Sequence, residues 1–308
     1  MTERFVYVIL HYGAYEETVK AIDSVQGLSV EKSKKENRIE KNGIEKNNSQ
    51  IVVVDNASPD GSGKRLVERY GGTQDVHILL NHVNEGFARG NNFGYDFARR
   101  ELAGEFIVVM NNDVEILQGN FEQIVRQIYR ESPFHVLGPD IVTADGERRN
   151  PHRKKPFTIA DINRIIRNRT IILWYLKIKQ AFRIENKIHW LEDWDRRRVC
   201  RERSDLQAQR ESRQSGVVLH GSFLVFSPAF VMREERAFCP DTFMYMEEEI
   251  LSYLCNGKGY EMLYTPEIQV LHKEEVSTAQ SRNAFQKYLF YTQHLRESAR
   301  VMKGVLSG

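Results

Sequence analysis

Short continuous runs of apolar residues alternate with amphipathic segments over the first 145 residues. The runs lack an apolar–polar alternation, which is typical of strands covered on both faces. The segments between them space apolar residues three and four positions apart, as helices do. The predicted strands cover residues 5–10, 51–54, 76–80 and 106–110, and the predicted helices cover residues 16–25, 64–70 and 86–102. This alternation predicts an α/β fold with a mostly parallel central sheet flanked by helices.

Two segments interrupt this pattern. Residues 31–49 are rich in Lys, Glu and Asn and nearly lack apolar residues, so we expect a polar insertion, either a solvated loop or a frayed helix. Residues 151–215 mix many Arg and Lys residues with isoleucines and tryptophans, which predicts a basic insertion of amphipathic helices. Beyond it we expect strands over 216–226, 261–264 and 268–271, and helices over 247–256 and 283–302. We assign residues 1–278 to one domain that contains both insertions, and residues 279–308 to a C-terminal helix.

Composition narrows the classes of function. Hydrophobic residues make up 41% of the 308 residues and the net charge is +2, so an ordinary globular protein is expected and nothing demands nucleic acid as a partner. The three cysteines are far apart and form no Cys-x-x-Cys pair, which favours a reducing compartment over a zinc site or disulfide framework. The apolar runs are too short for a signal peptide or a membrane span. We therefore expect a cytoplasmic protein, with peripheral contact at the inner membrane face left open.

Polar and acidic side chains follow all four predicted strands of the first half. The strands lead into His11, into Asp55-Asn56, into the loop of residues 84–92 and into Asn111-Asn112-Asp113. Ligands of open parallel sheets bind outside the carboxyl ends of the strands. Any one of these loops is polar for ordinary reasons. Four together at one rim predict a binding site.

Six motifs in a fixed order resemble those of the family 2 glycosyltransferases, a large inverting group with the GT-A fold. The likeness covers residues 5–278 apart from the two insertions, and within the family it points to the rhamnosyltransferase-like and capsular-polysaccharide branch. The motifs are Val-Val-Val-Asp55-Asn56-Ala57-Ser58, Asn84-Glu-Gly86-Phe-Ala-Arg-Gly90-Asn91-Asn92, Asn111-Asn112-Asp113, Gly221-Ser222-Phe-Leu, Glu247-Glu248-Glu249-Ile250-Leu251 and His272.

The resemblance implies a transfer reaction with particular partners. A hexosyl or deoxyhexosyl group would move from a nucleotide-diphosphate sugar to a hydroxyl of a glycan or lipid-linked glycan, in cell-surface polysaccharide synthesis. UDP- and dTDP-sugars are the first donor classes to consider, and Mg²⁺ or Mn²⁺ is the expected cofactor.

The donor side of the expected site follows the second and third strands. Asp55 suits a turn or helix cap as well as a ligand, and the resemblance implies that it binds the nucleotide base or ribose. Glycines such as Gly86 at a helix start allow backbone N–H groups to approach phosphate or sugar oxygens. Arg89 either meets the diphosphate or is solvated. The residues assigned to donor binding are His11, Asp55, Asn84, Gly86, Arg89, Asn92 and Asn112.

The expected metal site keeps one carboxylate. Asn111-Asn112-Asp113 stands where the family has its Asp-x-Asp signature, and a diphosphate-bound Mg²⁺ or Mn²⁺ requires hard oxygen ligands. The resemblance makes His272 a second ligand, although a single histidine is often structural. Lys273 is an alternative counter-charge for the diphosphate. We expect metal binding that is weak or dependent on the donor.

Three consecutive acids open the predicted helix over residues 247–256. The helix dipole favours acids in a first turn, which accounts for the cluster without catalysis. The resemblance places the general base here, at Glu248 with Glu247 as the second choice, and places Gly221 and Ser222 on the acceptor side.

Three other functions agree less well with the sequence. A nucleotidyltransferase of related fold would need a glycine-rich basic loop after the first strand, where His11-Tyr-Gly stands instead. A non-catalytic nucleic-acid binder built on the basic insertion would leave the acidic strand ends without a purpose. An NAD-dependent enzyme would need a Gly-x-Gly-x-x-Gly fingerprint. The insertion either contacts an anionic membrane or phosphorylated lipid acceptor, or packs on the core with solvated charges.

Overall fold

A computed structural model describes residues 3–36, 49–184, 188, 190–191, 195, 210–273 and 283–307. Most of the polar insertion, the larger part of residues 185–209 with Trp194 and Cys200, and the predicted boundary near residue 278 lie outside this part of the chain. The strands are β1 Phe5–His11, β2 Gln50–Asp55, β3 Val76–Leu80, β4 Phe106–Asn111, β5 Val114–Ile116, β6 Val136–Thr143, β7 Gln214–Ser215, β8 Phe223–Phe226 and β9 Met262–His272. The helices are α1 Tyr15–Glu36, α2 Ser62–Tyr70, α3 Gly86–Arg100, α4 Phe121–Glu131, α5 Ile159–Ala181, α6 Pro228–Val231, α7 Glu247–Gly257 and α8 Ala284–Ser307.

The described strands form one sheet in the order β3-β2-β1-β4-β8-β6-β9-β5, with β7 also paired to β9. The first four strands of this order are parallel. Beyond β4 the sheet is mixed, because β8 runs antiparallel to both β4 and β6, whereas β6 and β9 are parallel. The α/β fold is confirmed, and the parallel arrangement holds for the half of the sheet that carries the predicted rim.

Both faces of the sheet are covered, which explains the continuous apolar runs. Alternate residues of β1 enter two different cores, with Tyr7 in one and Val6 and Val8 in the other. Helix α3 lies so close to the second face that a Cβ on Gly94 would come within 2.4 Å of Val8 Cγ1. The glycine inside this helix therefore serves the close contact between helix and sheet.

The second half of the chain differs from the prediction. The strand expected over residues 216–226 is limited to β8, because Val218 forms only an isolated bridge with Arg153 and Gly216 has a left-handed backbone with φ 68°. The two strands expected over 261–264 and 268–271 are one strand, β9. Helix α4 and strands β5 and β6 were not predicted.

Helix α5 lies in the basic insertion, where amphipathic helices are expected, and residues such as Ile162 and Leu176 are buried along one side of it. Thr158 and Asp161 form a reciprocal capping box at its start. One face of α5 packs against α8. Arg169 in α5 pairs with Asp195, whose carboxylate also accepts a hydrogen bond of 2.7 Å from Tyr288 in α8. This buried network fixes α5 to the body of the molecule.

Candidate active site

The carboxyl ends of β2, β1 and β4 lie side by side. His11 is paired in register with Asp55, and Leu10 with Asn111, so the predicted strand ends share one edge. His11 is fully buried there, with Nδ1 2.6 Å from Thr18 Oγ1 and Nε2 2.8 Å from Ser62 Oγ. Burial lowers the pKa of His11, against the opposing charges of Asp55 and Asp60. The ring thus joins β1 to the starts of α1 and α2 from below the rim.

Asp55 forms the turn that leads into α2. Its Oδ1 accepts hydrogen bonds from Ser58 N at 3.1 Å and from Ser58 Oγ at 2.5 Å. A Cβ on Gly63 would lie 1.9 Å from Asp55 Oδ2, so only glycine fits beside the carboxylate. The turn function is therefore present, and it holds the carboxylate in one orientation at the rim.

Asn56 organises the neighbouring loop. Its Nδ2 donates to Asn84 Oδ1 and to the Gly86 carbonyl, each at 3.0 Å, and its Oδ1 accepts from Asn81 Nδ2 and Glu85 N. Asn56 belongs to one of the six motifs, but no role was predicted for it. The structure shows that it ties the end of β2 to the exposed Asn84 and the start of α3.

Gly86 joins this loop to the segment that precedes α7. Its φ is 77°, a left-handed conformation that favours glycine, and an added Cβ would lie 2.3 Å from the Phe243 carbonyl oxygen. The next residue, Phe87, donates its N–H to the same carbonyl at 2.7 Å. The predicted donor loop is thus in direct contact with the segment that leads into the predicted base helix.

The remaining predicted donor residues contact protein atoms. The exposed Arg89 donates from Nε to the Pro240 carbonyl at 2.9 Å and lies 3.6 Å from the Glu85 carboxylate. Asn92 exchanges two hydrogen bonds with the backbone of Phe238, at 2.8 and 2.9 Å. Asn112 donates to Thr18 Oγ1 at 3.0 Å. Asn92 and Asn112 are buried and brace the loops around the rim.

Asp113 lies in the turn between β4 and β5, and this turn brings it to His272 at the end of β9. Strand β5 pairs with β9 so that Val114 faces His272, and His272 Nε2 lies 3.3 Å from Asp113 Oδ1. Both side chains are buried, and Asp113 Oδ1 has no hydrogen-bond partner among the described residues. Two ligands about 2.1 Å from one ion and at right angles to each other lie about 3 Å apart. The pair therefore fits one divalent cation.

The described part of the chain offers only two protein ligands at this position. Within these residues, no group of three or more His, Cys, Asp or Glu side chains is arranged to hold a metal. Lys273 Nζ, the alternative counter-charge, is already paired with Glu17 at 2.9 Å and with Glu115. Phosphate oxygens and water would have to complete the coordination of a bound ion.

The two candidate bases occupy different environments. Glu248 has 21% of its side chain exposed, and its Oε1 lies 3.9 Å from His152 Nε2. A Cβ on Gly221 would sit 3.7 Å from Glu248 Oε2 and 3.8 Å from Phe87, so Gly221 keeps the space beside Glu248 open. Glu247 is buried, and this burial, followed by the charge of Glu248, raises its pKa well above the usual value. Of the two, Glu248 has the solvent access that a base requires.

Three histidines form a row between Glu248 and Asp113. The rings of His152 and His220 are 5.5 Å apart, and those of His220 and His272 are 5.8 Å apart. His220 Nδ1 accepts the Ser222 N–H at 3.2 Å and faces Ser222 Oγ at 2.9 Å. Burial, then the charges of His152, His272 and Arg149, lower the pKa of His220 well below its usual value. Nδ1 is thus the acceptor nitrogen and Nε2 carries the proton of the neutral ring.

His152 and His220 were not among the predicted site residues. A single histidine carries no periodic signal, and these two are far apart along the chain. The available hint was the position of His220 immediately before Gly221-Ser222. Asn150 fixes this position, because its Oδ1 accepts the His220 N–H at 3.0 Å.

Two solved structures are similar to this chain at low sequence identity. A crystal structure of GalNAc-T7 with UDP, GalNAc and Mn²⁺ is 13% identical, with a TM-score of 0.51 over 90% of this chain and 46% of that chain. A crystal structure of S. aureus TarS 1-349 is 12% identical, with a TM-score of 0.49 over 88% of this chain and 60% of that chain. The chain has the GT-A fold.

Sequence comparisons identify the family. The low-salt glycan biosynthesis hexosyltransferase Agl10 of Haloferax volcanii is 26% identical over 98 residues, which are 32% of this chain and 30% of that protein. The chain therefore matches less than a third of that curated relative. The family model described as glycosyl transferase family 2 matches residues 8–187, more than half of the chain. This chain belongs to glycosyl transferase family 2.

Proposed function

We propose that the protein is a metal-dependent inverting glycosyltransferase. It moves a hexosyl or deoxyhexosyl group from a UDP- or dTDP-sugar to a hydroxyl of a glycan or lipid-linked glycan. Family membership supports glycosyl transfer. The observation that carries the proposal is the row of histidines that connects Glu248 with the Asp113–His272 pair.

Glu248 acts as the general base in a single displacement. Its carboxylate accepts the proton of the acceptor hydroxyl while that oxygen forms a bond to the anomeric carbon. The bond from the anomeric carbon to the nucleotide diphosphate breaks on the opposite face, so the configuration inverts. The open space at Gly221, where an added Cβ would lie 3.7 Å from Glu248 Oε2, supports an acceptor position here, with Ser222 next in the chain.

The donor side is the rim formed by Asp55 and the loop that begins at Asn84. The fixed Asp55 carboxylate accepts from N–H or hydroxyl donors of the nucleoside. Gly86 allows the backbone at the start of α3 to approach the sugar or phosphate, and Arg89 faces the same region. We assign His11, Asn92 and Asn112 to supporting this rim, because their polar atoms contact the protein.

Asp113 and His272 would hold Mg²⁺ or Mn²⁺ together with the donor diphosphate. A bound ion would stabilise the negative charge that develops on the departing diphosphate. The buried Asp113 Oδ1 without a hydrogen-bond partner supports this position.

We extend the proposal to the setting of the reaction. Residues 1–278 form the catalytic domain, with insertions at 31–49 and 151–215, and residues 279–308 form a C-terminal helix. The motifs favour the rhamnosyltransferase-like and capsular-polysaccharide branch, which implies cell-surface polysaccharide synthesis at the cytoplasmic face of a membrane.

The proposal is tested in two steps. A thermal-shift panel of nucleotide sugars with Mn²⁺ or Mg²⁺ identifies the donor, and transfer to saccharide acceptors is then measured with that donor. Glu248→Gln should lower the transfer rate by roughly 10²–10⁴-fold, the contribution typical of a general base, while the donor-induced thermal shift stays. Glu235→Gln, an exposed residue of the same type, is the matched control.

Two outcomes contradict the proposal separately. If Glu248→Gln keeps its transfer rate, the base assignment is wrong, and Glu247→Gln is then measured as the second candidate. If no nucleotide sugar raises the melting temperature, the donor class is wrong.

A further inference from the structure

The outward face of α5 carries an apolar stripe. Two of its side chains, those of Trp174 and Phe182, are 70% and 72% exposed. The spacing of three and four residues puts the stripe on one side of the helix, opposite the side that packs inward. The stripe consists of Ile171, Trp174, Tyr175, Ile178 and Phe182, and the inward side of Ile162, Ile165, Arg169, Ile172, Leu173 and Leu176.

Two further exposed side chains extend this stripe. Ile184 follows the end of α5, and the Trp190 ring lies 6.2 Å from the Tyr175 ring in an edge-to-face arrangement. We call these seven side chains the aromatic patch. Single exposed apolar side chains are ordinary, but a contiguous group of this kind marks an interaction surface.

The patch is built on a rigid support. The inward face of α5 belongs to two apolar clusters shared with α8. The buried ion pair of Arg169 with Asp195 and its link to Tyr288 hold the helix in place. The exposure of Trp174 and Phe182 is therefore a property of a helix that is already fully packed on its other side.

Basic residues flank the patch. On a helical projection, Lys177 and Lys179 fall on opposite sides of the stripe, and Lys179 Nζ lies 5.6 Å from the Tyr175 ring centroid. Arg167 precedes the stripe, Arg183 follows it, and both are exposed. The whole basic insertion, residues 151–215, has 17 Lys and Arg against 8 Asp and Glu. The insertion that carries the exposed Trp174 and Phe182 therefore has an excess of positive charge.

We propose that the aromatic patch binds the surface of an anionic lipid bilayer, with α5 lying in the plane of the interface. Aromatic and aliphatic side chains on one face with Lys and Arg beside them are what an interfacial helix requires. A second copy of the chain fits less well, because a twofold interface through the patch would bring the lysines of both copies together. None of the helices in the described residues is long and apolar enough to cross a bilayer, which agrees with contact in the interface.

Helix α5, which carries the patch, also packs against the start of α7. Ile162 and Ile165 of α5 pack with Met246 and Ile250, at the start of α7. The stripe begins at Ile171, six residues beyond Ile165 and so about 9 Å further along the helix axis. The patch therefore begins within about two helical turns of the residues that pack at the start of α7, on the outward side of α5. Bilayer binding does not depend on the proposed function, whereas delivery of a lipid-linked acceptor from that bilayer to Glu248 rests on it.

The tryptophans allow a direct test. All three lie in the basic insertion, as Trp174, Trp190 and Trp194, so fluorescence from selectively excited tryptophan reports this region alone. The full chain is mixed with phosphatidylcholine vesicles with or without phosphatidylglycerol. We expect a blue shift of the emission and co-sedimentation with the vesicles that contain phosphatidylglycerol.

Two pairs of substitutions separate the apolar and the charged contributions. Ile171→Ser with Phe182→Ser keeps every tryptophan and should weaken vesicle binding at least tenfold, because two large apolar side chains no longer enter the interface. Lys177→Glu with Arg183→Glu should weaken binding by at least about fivefold for each charge removed. The control pair, Leu117→Ser with Met232→Ser, changes side chains of comparable exposure elsewhere and should bind like the unaltered protein.

The results have distinct meanings. Binding to anionic vesicles that both patch variants lose and the control keeps supports the proposal. Absence of vesicle binding overturns it, whether the unaltered chain is then a monomer or a dimer that the patch variants dissociate in sedimentation velocity. Equal binding to both vesicle types overturns the electrostatic part. Thermal shifts of the same variants with nucleotide sugars show separately whether the protein binds a nucleotide-sugar donor.

Discussion

Adjacent glutamates at the start of α7 show how position decides the chemistry of one residue type. Glu248 faces Gly221 and His152 and keeps contact with solvent. Glu247 points into the protein, where its Oε1 has no hydrogen-bond partner among the described residues. Removal from water disfavours a charged carboxylate, and a neighbouring negative charge disfavours it further. The pair thus divides into a carboxylate available to a substrate and a carboxyl group that prefers to keep its proton.

The raised pKa of Glu247 predicts a dependence of stability on pH. Because the folded protein holds this proton more tightly than the unfolded chain, its stabilising effect is complete below the unfolded pKa of about 4.3. That effect is lost as the pH rises from there through the folded pKa, at about 1.4 kcal/mol for each unit between the two values. Glu247→Gln cannot titrate, so it should be more stable than the unaltered protein at neutral pH, with an advantage that shrinks towards pH 4.

Urea unfolding between pH 4 and 8 measures this difference. Glu235→Gln, at an exposed position, should follow the unaltered protein across the range. Parallel curves for Glu247→Gln and the unaltered protein would show that Glu247 is ionised at neutral pH.

At the scale of elements, the candidate active site depends on contacts between loops that are distant in sequence. Asn56 after β2 holds the loop before α3, and Gly86 in that loop packs on Phe243 before α7. The left-handed backbone at Gly86 allows the two segments to touch. Donor loop and base helix are therefore positioned by one backbone contact rather than by two independent turns.

Gly86→Ala should break this contact. An alanine at φ 77° costs about 1–2 kcal/mol, and its Cβ would clash with the Phe243 carbonyl oxygen, which adds to that cost. We expect a lower free energy of unfolding and weaker binding of the donor nucleotide. Gly72→Ala is the control, because a Cβ there meets no atom within 4 Å. Equal urea midpoints for the two variants would contradict the prediction.

At the scale of the whole molecule, the sequence predicted the parallel half of the sheet better than the mixed half. Strands β1, β2 and β4 are buried on both faces and show as continuous apolar runs. Strand β6 contains Gly138 and Pro139, which interrupt such a run, and its partners come from distant parts of the chain.

The same limit applies to the site. Polar residues directly after strands were found because strand ends have a local signal. His152 and His220 acquire their neighbours only when β6, β8 and β9 come together, so no pattern along the chain could show them. The resemblance put Asp113 and His272 in one expected metal site, but their distance of 3.3 Å is a tertiary fact that spacing along the chain does not contain.

The pair of Asp113 and His272 gives a last prediction, which concerns metal binding. Among the described residues, Asp113 and His272 would supply two ligands, whereas Mg²⁺ and Mn²⁺ usually take six, and we expect the donor diphosphate to provide part of the coordination. Metal and nucleotide should therefore strengthen each other's binding by the same factor, roughly 5–150-fold. Calorimetric titration of Mn²⁺ with and without UDP, or with dTDP if dTDP-sugars are the donors, measures that factor. Asp113→Asn should reduce it towards one, and Glu235→Gln should leave it unchanged. Tight Mn²⁺ binding to the protein alone, equal with and without nucleotide, would mean that the ion has protein ligands besides this pair.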